Sequence, residues 1–332
     1  MRNLGLPDLD KKLSKSLVSE LRLVEKRLDQ AIKGNYPFAV ETSRHLIGAG
    51  GKRVRPLLTL LASHFGKSRD KNLSQIIDAA VVCELTHVAT LYHDDVMDDA
   101  PKRRGVPSAN NRWGNTVAIL TGDYIFAKTS LILADLGPEA VRLQAKTFER
   151  LVVGQINETL ASENSKYDLD LYLKIIADKT ASLLSTSARF GAMFAGANEN
   201  ITNTLAKYGE EMGLVFQLAD DLIDIESSSA KSGKTPGTDL REGVPTLVTL
   251  LILTGKIPAT KSLKKQLSGP ITNEKELKEV LKQLRNHDAL AAANKIVNQH
   301  AQKAIKYLSD LPNGVAKEAL ILLTESIVNR SA

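Results

Sequence analysis

Residues 74–99 read SQIIDAAVVCELTHVATLYHDDVMDD, and this stretch decides the fold. Ile76, Ile77, Ala80, Val81, Val82, Leu85, Val88, Ala89 and Leu91 recur at helical spacing, so the pattern predicts one long helix closed by Asp94-Asp95-Val96-Met97-Asp98. Working outward, Leu9, Leu13, Leu17, Leu21, Val24, Leu28 and Ala31 step by three or four, the stripe of an amphipathic helix ending near Gly34. Helices are also expected at 38–47, at 57–65 after Pro56, and at 115–135, 138–161, 168–195, 201–227, 244–255, 274–284, 288–308 and 313–329. Residues 101–111, 227–244 and 256–270 read as loops or surface connections. No stretch alternates polar and apolar residues long enough to suggest a central strand. The chain thus reads as all-α, a single helical domain over residues 1–332 with ten or more helices around a central cavity.

Composition agrees. Of 332 residues, 43% are apolar and 25% charged, a globular balance, with only 7 Phe, 7 Tyr and 1 Trp. Such a core must be built from Leu, Ile, Val and Ala, which suits packed helices. The longest uncharged run, Gly243 to Gly255, falls short of a membrane span, and the first residues carry no apolar signal core. One cysteine, Cys83, excludes an internal disulfide and a thiolate-rich zinc site. A cytoplasmic chain is expected. Its net charge of +6 suits anionic small ligands or lipid surfaces and is too dispersed for nucleic acid.

The chemistry lies in two five-residue motifs, Asp94-Asp95-Val96-Met97-Asp98 and Asp220-Asp221-Leu222-Ile223-Asp224, both with acids at i, i+1 and i+4. Residues i and i+4 share a helix face one turn apart. Two carboxylates about 5–6 Å apart repel by roughly 3 kcal/mol at an effective dielectric of 20, and acids at a helix C-terminus oppose the macrodipole. One such cluster reads equally well as a solvated helix end. Two copies, each after an apolar run, point to a hard cation, and Mg²⁺ shares its oxygen shell readily with phosphates.

The bases form the complementary set: Gly50-Gly51-Lys52-Arg53-Val54-Arg55-Pro56, Lys102-Arg103-Arg104-Gly105, Lys179-Thr180 and Lys234-Thr235. Arg matches phosphate oxygens with a planar fork, and Lys acts as a point charge. Beside the carboxylates they make a second anion pocket without metal, hence two phosphorylated substrates held differently. Glu84-x-x-His87 has no second copy, which removes a di-iron bundle. His87 lies two turns before Asp94 and is a candidate phosphate donor or a core histidine; His93 and Cys83 read as structural. Walker A, Gly-x-Gly-x-x-Gly and Gly-x-Ser-x-Gly patterns are absent.

From Gly50 to Arg241 these motifs, with Gly154-Gln155, Phe216-Gln217 and Gly233-Lys234-Thr235, occur in the order of the trans-polyprenyl diphosphate synthases, which the chain resembles. The wording from His87 to Asp98 is most similar to actinobacterial long-chain synthases. The resemblance implies that Asp94 and Asp98, with Asp220 from the opposing helix, hold three Mg²⁺ ions, with Asp95, Asp221 and Asp224 as nearby ligands or water-holders. It implies that Lys52, Arg55, His87 and Arg104 bind the diphosphate of isopentenyl diphosphate. Arg103, Lys179 and Lys234 would grip the allylic diphosphate, and Thr180 and Gln217 border the reacting centre. Departure of the diphosphate would leave an allylic cation for the isopentenyl double bond to attack, with the loop 227–243 closing against water.

Product length should follow from the residues one turn below Asp94. Ala89 and Thr90 are small where short-chain members carry a bulky floor, so a long all-trans product of the quinone side-chain kind is expected, and Tyr92 should point elsewhere. A homodimer, to which the helix at 9–33 could contribute, and transient membrane-surface contact for product release complete the expectation. The alternatives are a farnesyl or geranylgeranyl diphosphate synthase and a non-catalytic subunit of a heteromeric synthase; a terpene cyclase would lack the second motif in this form.

Overall fold

The computed structural model describes residues 9–164, 168–226 and 236–329. It is all-helical apart from one hairpin of two-residue strands among the described residues. The chain packs as two compact units, neither of them continuous in sequence.

The first unit comprises Met1–Thr147, Leu183–Ala206 and Leu311–Leu320. It begins with α1 (Lys11–Ala31), α2 (Pro37–Gly48) and α3 (Val54–Ser63). Asp10 caps α1 by accepting from the Leu13 amide at 2.8 Å, and Leu13, Leu17, Val24 and Leu28 bury the stripe read from the sequence. That stripe packs on α3 and on α4 (Leu73–Met97), so it is used within the chain. α4 buries side chains all round, from Ile76 to Asp95, and is the core helix of this unit.

After α4 the chain forms β1 (Lys102–Arg103) and β2 (Val106–Pro107), then α5 (Ala109–Trp113), α6 (Asn115–Leu136) and α7 (Pro138–Asn164). Residues 101–111, expected as a loop, therefore hold a hairpin and the start of a helix. Arg104 (φ 53°) and Gly105 (φ 80°) form a two-residue turn with positive φ at both positions, the geometry that closes tight hairpins. α6, though interrupted by Asp123, Lys128 and Asp135, is long and apolar enough to cross a membrane by length and composition alone. It packs on α4, burying Ala118, Thr121, Gly122, Ile125, Thr129, Ile132 and Leu133. A Cβ at Gly122 would lie 2.3 Å from His93 Nε2, so a larger residue here would displace the His93 ring.

The second unit comprises Phe148–Ser182, Lys207–Asp310 and Ile321–Ala332. It takes the rest of α7, then α8 (Leu169–Ile176), a π-helical turn (Ala177–Ala181) and most of α10 (Glu199–Glu226), whereas α9 (Ser182–Phe194) belongs to the first unit from Leu183 on. α11 (Thr238–Glu242), α12 (Leu247–Leu253), α13 (Lys261–Gln266), α14 (Glu274–Arg285), α15 (Asp288–Leu308) and the second half of α16 (Val315–Val328) follow. α11 and α13 lie where loops were expected. The π turn interrupts the single helix expected over 168–195.

Candidate active site

The first motif ends α4. Asp94 is half-buried and Asp98 exposed, whereas Asp95 has no exposed surface. The spacing explains this: at 3.6 residues per turn, position i+1 lies about 100° from the face shared by i and i+4. Arg103 Nε, delivered by β1, donates to Asp95 Oδ1 at 2.6 Å, and Asn110 Nδ2 donates to the Asp95 carbonyl at 3.0 Å. Burial raises the Asp95 carboxyl above its ordinary value despite Arg103.

Bases crowd the same unit. Arg53, αL at the N-cap of α3, is buried and binds Glu84 at 2.7 Å, Glu25 at 2.9 Å and the Gly50 and Ile47 carbonyls. It fixes the Gly50-Gly51-Lys52 turn, and Lys52 is exposed beside it. Arg104 Nη1 donates to the Leu46 carbonyl at 2.7 Å, with Nη2 3.6 Å from Glu84. Arg55 is half-buried and its Nε, though buried, has no hydrogen-bond partner. Burial lowers the Arg55 pKa, and burial followed by Arg55, Arg104, Arg103 and Arg53 holds the His87 imidazole well below its usual range. A neutral His87 among four guanidiniums, with Glu84, Glu25 and Asp95 as counter-charges, is an environment that an anion stabilises. Ala89 is fully buried and Thr90 half-buried, its hydroxyl donating to the His87 carbonyl. Tyr92 turns to α2, where its hydroxyl donates to the Thr42 carbonyl at 2.5 Å and accepts from the Leu46 amide at 3.2 Å.

The second motif lies in the last turns of α10. Asp220 and Asp224 are half-buried, and Asp221 is again the buried acid. Tyr172 on α8 donates its hydroxyl to Asp221 Oδ2, and Gln217 Nε2 donates to Oδ1 at 2.9 Å. The Gln217 amide oxygen accepts from the Thr180 hydroxyl at 3.3 Å. Burial pushes the Asp221 carboxyl up to about 7, and burial with Asp221 alongside raises Tyr172 well above its usual value, so Tyr172 remains a donor. Asp224 Oδ2 accepts from the Asp239 amide at 3.2 Å, tying the start of α11 to α10.

Tyr172, Thr180, Gln217 and Asp221 line a pocket of about 130 Å³ in the second unit, with Glu158, Lys179, Asp239 and the Val244–Pro245–Thr246 segment. Lys179 and Thr180 project from the π turn, a device common at functional sites. Arg150 on α7 secures that turn, donating to Asp178 at 2.8 Å, to Glu210 at 2.6 Å and to the Ala177 carbonyl at 3.2 Å. Lys179 pairs with Glu158. A Cβ on Gly154 would sit 2.7 Å from the Lys179 amide nitrogen, so α7 approaches the π turn where only glycine fits. This gives Gly154-Gln155 a physical reason.

Tyr172, Glu158 and Arg150 are site residues that the sequence reasoning missed. Neither Tyr172 nor Glu158 belongs to an acidic or basic cluster, so nothing in the spacing marked them. Lys234, together with most of the expected lid, lies outside the described residues.

Among the described residues no group of three or more acids, histidines or cysteines could by itself hold a metal ion. The donor set still fits Mg²⁺. Each motif presents two carboxylates one turn apart, and the remaining octahedral positions are of the kind that water and diphosphate oxygens fill.

This all-α architecture is that of the isoprenoid synthases. The geranylgeranyl pyrophosphate synthase of Corynebacterium glutamicum, crystallised with calcium and isoprenyl diphosphate, matches with a TM-score of 0.85 and 38% identity, over 97% of this chain and 98% of that one. A family model, polyprenyl synthetase, covers residues 37–284. The chain belongs to the polyprenyl synthetase family and is a trans-prenyltransferase enzyme. It is 43% identical to the nonaprenyl diphosphate synthase of Mycobacterium tuberculosis over 92% of this chain and 91% of that protein. Component 2 of the heptaprenyl diphosphate synthase of Bacillus subtilis is 34% identical, with 97% and 92% covered.

Proposed function

We propose that this enzyme condenses isopentenyl diphosphate onto an allylic diphosphate to build a long all-trans polyprenyl diphosphate for a quinone side chain. The observation that carries the reading is the 43% identity with a nonaprenyl diphosphate synthase over nearly the whole chain. The small Ala89 and Thr90 below the first motif support it.

In this reading Asp94, Asp98, Asp220 and Asp224 hold Mg²⁺. When bound, the metal acts as a Lewis acid on the leaving diphosphate. Lys52, Arg55 and Arg104 take the isopentenyl diphosphate, with neutral His87 donating one hydrogen bond. Arg103, Lys179 and Lys234 take the allylic diphosphate, and Thr180 and Gln217 face the reacting carbons. The pair with Glu158 holds Lys179 in place until a diphosphate competes for it.

The enzyme acts as a cytoplasmic homodimer. Its single cysteine is buried, and Ile119, Leu120 and Leu131 on α6 are exposed apolar side chains of the sort a second copy covers. Residues 256–285 hold eight Lys or Arg against three Glu, a net +5 suited to passing contact with an anionic bilayer where the product leaves.

The relative that is one component of a heptaprenyl synthase favours a second reading, a catalytic subunit that needs a partner. Purified protein given both diphosphates and Mg²⁺ separates the two. Product formation by this chain alone, abolished by a chelator and restored by Mg²⁺, supports the first reading. Inactivity until a second protein is added supports the other.

A further inference from the structure

The pocket of the second unit holds one polar chain, Tyr172, Asp221, Gln217 and Thr180, in which the family motifs leave Tyr172 unassigned. Tyr172 is 6% exposed and reaches Asp221, itself 6% exposed, from a different helix. Both oxygens of Asp221 accept, one from the Tyr172 hydroxyl and the other from Gln217 Nε2 at 2.9 Å. Gln217 could present its amide either way round. The acceptor at Asp221 demands the NH₂ on that side, so the amide oxygen must face Thr180, whose hydroxyl donates to it at 3.3 Å. The Thr180 hydroxyl could serve as donor or acceptor and so cannot decide the orientation. The decision is made at Asp221.

We propose that Tyr172 is a positioning residue of this active site: by holding Asp221 it fixes the Gln217 amide, and through it the Thr180 hydroxyl, and Asp221 serves as that anchor and not as a metal ligand. Three features fit. Asp220 and Asp224, one turn apart on the neighbouring face of α10, are more exposed than Asp221. Gln217 and Asp221 stand at i and i+4, so one carboxylate governs one amide. The anchor comes from α8, which leads directly into the π turn bearing Lys179 and Thr180. Tyr172 thus ties both walls of the pocket together.

This inference rests on the prenyltransferase reading for the meaning of the pocket, but the test has an arm that does not need turnover. Tyr172→Phe keeps the ring and removes the donor. The expected result is a kcat at least tenfold lower, with KM for isopentenyl diphosphate within twofold of wild type and the melting temperature lowered by no more than a few degrees through the lost hydrogen bond to a buried carboxylate. Titration calorimetry of Mn²⁺ in the presence of inorganic pyrophosphate supplies the second arm. Asp221→Asn and Tyr172→Phe should bind within about threefold of wild type, whereas Asp220→Asn should lose binding. Wild-type kinetics in Tyr172→Phe, or Mn²⁺ binding lost in Asp221→Asn as fully as in Asp220→Asn, overturns the proposal. A wild-type protein that condenses no diphosphate at all counts against the prenyltransferase reading, and the calorimetric comparison still decides the role of Asp221.

Discussion

Arg103 Nε lies 2.6 Å from Asp95 Oδ1, and Asp95 is the one acid of its motif with no exposed surface. Asp221 repeats the relationship with Tyr172 and Gln217 in place of the arginine. Each motif therefore divides its labour by helix geometry, two acids toward solvent and one into the protein. Removing Arg103 leaves a buried carboxylate without its partner, so Arg103→Ala should cost about 1–3 kcal/mol in urea unfolding. Asp98→Asn, on an exposed residue, should change stability by less than about 0.5 kcal/mol while abolishing turnover. Equal stability losses in the two variants contradict this division.

Gly154 gives a packing prediction. Its missing Cβ admits the Lys179 backbone at a distance no side chain tolerates. Gly154→Ala should cost about 1–3 kcal/mol through displacement of the π turn. KM for the allylic substrate should rise more than KM for isopentenyl diphosphate. Steady-state kinetics with each substrate varied in turn checks the asymmetry.

His64 supplies a pH dependence remote from the motifs. Burial, then the neighbouring Arg69, lowers its pKa from 6.5 to about 4, and its Nε2 is buried without a hydrogen-bond partner. The unfolded chain binds a proton there that the folded chain refuses. Stability should therefore fall as pH drops from 6.5 towards 4, by on the order of 3 kcal/mol over the full interval. His64→Asn should flatten that part of the stability profile. Parallel slopes for wild type and variant would remove His64 as the cause.

The long helices were legible because burial imposes a three-to-four residue rhythm, as Leu13, Leu17, Val24 and Leu28 show. The short helices Ala109–Trp113, Thr238–Glu242 and Lys261–Gln266 escaped because one or two turns of mostly polar residues hold no such rhythm. The π turn was hidden for a different reason: an extra residue in a helix changes hydrogen bonding without changing composition. Spacing alone set Asp94 and Asp98 apart from Asp95. Tyr172 and Glu158 belong to no acidic or basic cluster, and only their tertiary partners, Asp221 and Lys179, give them meaning.

Ala89 and Thr90 differ in burial, and so in what a bulky replacement does. Ala89 is fully buried, so Ala89→Phe should both shorten the product and destabilise the fold by about 1–3 kcal/mol through overpacking. Thr90 is half-buried, and Thr90→Phe should shorten the product at smaller cost. Chromatography of dephosphorylated products, beside thermal melts of both variants, checks the pair. Unchanged length in both removes the floor from this part of α4.

The most direct measurement is to incubate the purified enzyme with Mg²⁺, labelled isopentenyl diphosphate and farnesyl or geranylgeranyl diphosphate, and to size the products. The account predicts a ladder ending well beyond geranylgeranyl diphosphate. A ladder that stops at farnesyl or geranylgeranyl diphosphate contradicts the long-chain assignment, and no elongation of any primer contradicts the account as a whole.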